Sequence, residues 1–147
     1  MSHDVIEREV FINAGIDHVW SLVSKNGFWV GEELHFEVDA QVGETAEFDV
    51  PNYGRFPVRV EQLDPPHYAA YRWASAYPGQ ELSDENTTLV EFMLSEQDGG
   101  VKVQVRESGF DKLSPPDFRE ARYNENVGGW EGQLEALRRV AEGVRAK

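Results

Sequence analysis

Residues 114–143 read SPPDFREARYNENVGGWEGQLEALRRVAEG, and their pattern decides the fold. Val127, Trp130, Leu134, Leu137 and Ala141 recur at steps of three or four, which places them on one stripe of an α-helix. Glu131, Glu135, Arg138, Arg139 and Glu142 fall mostly on the opposite side. Ser114 suits an N-cap, Pro115 the first helical position, and Asp117 the acid of a capping box. Nearly everything before this helix reads as strands. One long amphipathic helix after a run of strands must bury its stripe against a sheet.

Working back toward the N-terminus, Val101, Val103 and Val105 alternate strictly with Lys102, Gln104 and Arg106. Gln97-Asp-Gly-Gly100 is a hairpin signal that joins this strand to Thr87–Ser95, where Val90, Phe92 and Leu94 share one phase. A loop is expected over Ser75–Asn86, which holds Pro78 and Gly79. The stretch from His67 to Ala74 predicts a strand with Tyr71 and Trp73 pointing inward, since they carry the most area to bury. Further strands are expected around Phe56, Val58 and Val60, around Ala46, Phe48 and Val50, and around Phe36, Val38 and Ala40. Val5–Ile12 predicts a first strand at a sheet edge. His18–Val23 has helical spacing and is stopped by Lys25-Asn-Gly27. Phe28-Trp29-Val30 then forms a short second helix or lid; it either plugs one end of the core or walls a ligand site.

The expectation is one α+β domain over residues 1–147. A curved antiparallel sheet of about six to seven strands wraps a long C-terminal helix, with one or two short helices after the first strand. The sheet must curve, because one helix cannot cover a flat sheet of that width. With 27 acidic and 14 basic residues the net charge is −13, a field that repels nucleic acid and anionic membranes. No apolar run reaches a membrane span, and the N-terminus has no signal-peptide pattern, so a cytoplasmic protein is expected. There is no cysteine, which excludes disulfides and thiol catalysis. His3, His18, His35 and His67 lack metal-ligand spacing, and no phosphate loop or nucleophile elbow is present. No metal and no cofactor are therefore expected.

The sharpest polar candidate is Glu107, which continues the inward phase of Val101, Val103 and Val105. A carboxylate in an apolar interior needs a partner and is a candidate general acid or base. The plainer reading, and the favoured one, is that the strand ends there and Glu107 is wet, or pairs with Arg72 or Arg122. Gly128-Gly129 also needs a reason, since each glycine inside a helix costs about 1 kcal/mol against alanine. Close approach to the sheet, a kink, or room for something beneath the helix would each supply one.

This order resembles the helix-grip fold of the START-like, or SRPBCC, superfamily. Within it the chain is most similar to the single-domain form of the family of the activator of Hsp90 ATPase homologue. The stretches that carry the resemblance are His18-Val-Trp20, Thr87-Thr-Leu-Val-Glu-Phe92, Val103-Gln-Val-Arg-Glu-Ser-Gly-Phe110 and Gly129-Trp130 with Leu134 and Leu137. Gly15-Ile16 stands where the family usually has a proline. The family's co-chaperone has a separate N-terminal domain for which 147 residues leave no room, so an Hsp90-type chaperone is not the expected partner.

The resemblance implies an apolar or aromatic small molecule held between sheet and C-terminal helix. The converging residues would be Trp29, Phe36, Phe48, Phe56, Tyr71, Trp73, Phe92, Tyr123, Val127 and Trp130. The alternatives are a protein-interaction module with a packed core, and a cyclase or dehydratase that uses Glu107 and a tyrosine. A monomer or a homodimer fits either. An exposed Phe28-Trp29 patch would favour interaction, and a desolvated Glu107 near Tyr71 or Tyr123 an enzyme.

Overall fold

Alternation of apolar and polar residues makes six strands and fixes which side of each is buried. A computed structural model describes residues 5–30, 34–36, 38–50, 54–73, 86–110 and 117–143, with residues 117–128 described as helical backbone. The elements are β1 (Val5–Ile12), α1 (Ile16–Val23), β2 (Thr45–Val50), β3 (Gly54–Asp64), β4 (Tyr68–Trp73), β5 (Thr88–Gln97), β6 (Gly100–Ser108) and α2 (Asp117–Ala141). They form one antiparallel sheet in the order β1-β6-β5-β4-β3-β2, so β1 is an edge strand as its charged alternation predicts. The sheet curves over α2 in a helix-grip arrangement. Among the described residues, no helix is long and apolar enough to cross a membrane.

The register sets the inner face. Val90 pairs with both Tyr71 and Glu107, and Phe92 with both Ala69 and Val105. Tyr71, Val90 and Glu107 therefore stand in one row across three strands, and all three are buried. The β5–β6 turn puts Asp98 and Gly99 at positive φ, 52° and 83°. This pair of left-handed residues matches the twist of a two-residue hairpin.

α2 lays Trp130, Leu134, Leu137 and Ala141 on the sheet, all buried, while Glu131, Glu135 and Arg139 stay exposed. Arg8 of β1 meets Glu131 near the middle of α2 at 3.2 Å, and the Asn13 amide, just after β1, donates to Glu142, just past the helix end, at 2.9 Å. Ser114 and Pro115, the expected helix start, lie outside the described residues.

One expectation is corrected. Phe36, Val38 and Ala40 do not form a strand. Their backbone is held by the segment after α1 instead: Asn26 N–H donates to Val38 O, Ala40 N–H to Ser24 O and His35 N–H to Phe28 O. Lys25 and Asp39 make an isolated bridge. Residues 26–29 turn, so of the one or two short helices expected after β1, one is present among the described residues.

Gly129 is exposed, and a Cβ there would meet nothing within 4 Å. Close approach to the sheet is thus not the reason for this glycine. Gly129→Ala is expected to stabilise the fold by up to about 1 kcal/mol in urea titrations.

Candidate functional site

Glu107 is where the inner face stops being apolar. It is 0% exposed and continues the buried phase of Val101, Val103 and Val105. Its backbone lies between β1 and β5, opposite Ile6 and Val90, so the strand does not open to solvent at this point. The expected wet strand end is therefore overturned: pairing on both sides carries the strand past the position where sequence alone places its end. Arg72 is not its partner either. Arg72 lies on the other face, 3.3 Å from Glu61 and 3.2 Å from Thr87 Oγ1. There Arg59, at 2.6 Å, and Arg72 hold the Glu61 carboxyl below its usual range. The side chain of Arg122 lies outside the described residues.

Donors from three elements reach the Glu107 carboxylate. Trp73 of β4 donates its indole N–H to Oε2 at 3.0 Å, and the Thr88 hydroxyl of β5 donates to the same oxygen. Trp130 of α2 donates its indole N–H to Oε1 at 2.8 Å. Bonds to an ionised acceptor are stronger than neutral ones, and such donors make a buried carboxylate tolerable. Glu107 thus ties the centre of α2 to the sheet.

Around it the aromatic rings are in contact. Trp29 touches Tyr71 at 5.1 Å, Trp73 at 5.6 Å, Phe92 at 5.6 Å and Trp130 at 5.9 Å between ring centres. Phe28 meets Phe92 at 5.0 Å and Phe36 at 6.0 Å. Phe28 and Trp29 are only 1% and 3% exposed, so they offer no surface patch. Gln133 of α2 holds the segment from behind, its Nε2 donating to Trp29 O at 2.7 Å. The Tyr71 hydroxyl donates to Val23 O at 2.5 Å, and burial raises its pKa, which keeps it neutral.

Toward β2 and β3 the rings are less completely buried. Trp73, Phe56, Phe48 and Phe36 belong to the same inner surface but are only half-buried. Phe48 and Phe56 face each other across β2 and β3, and the Phe48 ring presses on the backbone at Gly27. Gly27 has φ +62°, and a Cβ there would lie 2.3 Å from Phe48 Cε2, so only glycine fits. Eight of the ten expected site residues are therefore placed on one connected aromatic surface. The side chains of Tyr123 and Val127 lie outside the described residues.

Sequence reasoning missed three contributors. Thr88 shares the inward phase of Val90 and Phe92, a signal that was available. Asn26, whose side-chain amide donates to Val58 O at 3.2 Å, and Gln133 carry none, since these contacts cross long chain separations. Among the described residues no group of three His, Cys, Asp or Glu side chains is placed to hold a metal ion.

A curved six-stranded sheet gripping one long helix, with an aromatic inner surface, defines a helix-grip domain. The family described as activator of Hsp90 ATPase homolog 1-like protein matches residues 13–142, and the chain belongs to that family. Solved structures agree on the fold. Protein MLL2253 from Mesorhizobium loti superposes with a TM-score of 0.73 at 16% identity, covering 97% of this chain and 99% of that one. The Aha1 dimer from Colwellia psychrerythraea gives 0.69 at 18% identity, covering 97% and 98%. Protein BH1534 from Bacillus halodurans gives 0.64 at 24% identity, covering 94% and 96%. No curated protein matches the chain.

Proposed function

We propose that this domain binds a planar apolar or aromatic small molecule between the sheet and α2. The observation that carries the reading is the half-buried row of Trp73, Phe56, Phe48 and Phe36 on the concave face. Large rings left partly open on an inner surface, and continuous with enclosed ones, are the lining that ligand sites use. The exposed Phe28-Trp29 patch that an interaction module would use is not available, since both side chains are buried.

Enzymatic use of Glu107 is disfavoured. Both its oxygens already accept hydrogen bonds, and the Tyr71 hydroxyl is directed to Val23 O instead. On this reading the protein acts in the cytoplasm as a carrier or sensor of the molecule it holds.

A thermal-shift screen of planar aromatic compounds tests the reading. A saturable rise in Tm is expected for at least one ring system, since a ligand that binds only the folded state stabilises it. Phe56→Asp, which removes a ring packed on the core and puts a charge on the half-buried wall, is expected to lower the ligand-free Tm and to abolish any further rise when the compound is added. No rise across the panel would reject the reading.

A further inference from the structure

We infer that the bound molecule carries a hydrogen-bond acceptor, in the simplest case a ring carbonyl, and that the indole N–H of Trp29 reads it. The inference rests on the ligand reading above and adds the chemical class. Trp29 is 3% exposed, and its Nε1 has no hydrogen-bond partner among the described residues. Three indoles meet in this cluster. Those of Trp73 and Trp130 both donate to Glu107, while that of Trp29, in ring contact with each, finds no acceptor among the described residues.

A buried donor without an acceptor is a standing cost to the folded state. Phenylalanine would fill most of the same apolar space without that cost. The position is also well fixed. Gln133 holds the Trp29 carbonyl, and the Val30 amide donates to Gly27 O at 2.9 Å. Trp29 makes a T-shaped contact with Trp73, whose ring is half-buried. The Trp29 Nε1 itself is fully enclosed, so a flat molecule that enters beside Trp73 must displace the packing over it to meet the indole that has a hydrogen to give. The same turn holds a second buried group without a partner among the described residues, Asn26 Oδ1, whose amide nitrogen donates to Val58 O at 3.2 Å.

Fluorene and 9-fluorenone form a matched pair of probes, with the same three-ring frame and one carbonyl of difference. Equilibrium dialysis against wild type and Trp29→Phe gives four dissociation constants. Wild type is expected to bind fluorenone about tenfold tighter than fluorene, the effect of giving one buried donor its acceptor. Trp29→Phe is expected to bring the two affinities together while still binding fluorene.

Equal affinities in wild type would overturn the inference and leave the ligand reading standing. A preference that survives in Trp29→Phe would overturn the role of Trp29. Binding of neither probe would count against both readings. Should the variant not fold, nitrogen-15 NMR of wild type decides: fluorenone is expected to move the Trp29 indole proton downfield and fluorene not to. A Trp29 signal indifferent to the carbonyl would overturn the inference.

Discussion

Glu107→Ala is expected to destabilise the protein by about 3–5 kcal/mol in equilibrium urea unfolding. The substitution removes the acceptor of two indole N–H groups and one hydroxyl, all supplied by residues of one cluster. A buried donor left without a partner costs about 1–3 kcal/mol, and no water stands ready at a position that is 0% exposed. A typical domain has only about 5–15 kcal/mol of stability, so the loss would move the midpoint far. Glu107→Gln keeps one acceptor oxygen but turns the other into an NH2 group that faces a donor. Its cost is expected to be smaller, about 1–3 kcal/mol. If Glu107→Ala loses less than about 1 kcal/mol, the carboxylate does not organise the cluster.

Trp130→Ala is expected to cost about as much, 3–5 kcal/mol, for a different reason. The indole is 3% exposed and packs on Trp29 and Phe92, at 5.9 and 5.7 Å between ring centres. Its removal leaves a cavity where α2 meets the sheet and takes away the indole hydrogen bond to Glu107 Oε1. Trp130→Phe keeps most of the ring and loses the hydrogen bond, so about 1–2 kcal/mol is expected. The two sites are in direct contact, so their effects are not additive. The double variant is expected to lose about 1–3 kcal/mol less than the sum of the single losses. Additive losses would show that indole and carboxylate act separately.

The strict periodicities carried over into the structure because each is enforced by a buried face. Val101, Val103 and Val105 alternate as a strand must, and the Trp130–Leu134–Leu137–Ala141 stripe packs as a helix must. The segment of Phe36, Val38 and Ala40 misled because alternation reports burial on one side and not a neighbouring strand. Its hydrogen-bond partners come from the turn after α1.

For the site, the phase of the aromatic residues was legible and their degree of closure was not. Nothing in the sequence separates Phe92, fully enclosed, from Phe56, half-open. Glu107 shows the same limit. Its inward phase was readable, but its burial depends on β1 pairing from the far end of the chain. So does the choice of partners, since Trp73 and Trp130 lie 34 and 23 residues away in sequence.

Native mass spectrometry of the protein purified under gentle conditions from its own cells tests the ligand-binding reading most directly. A small-molecule adduct is expected on wild type, with a mass and absorption that fit a conjugated ring system, and it is expected to be missing from Phe56→Asp. Bare protein in every preparation, with no uptake of planar aromatic compounds added afterwards, would contradict the reading and leave the aromatic surface as packing alone.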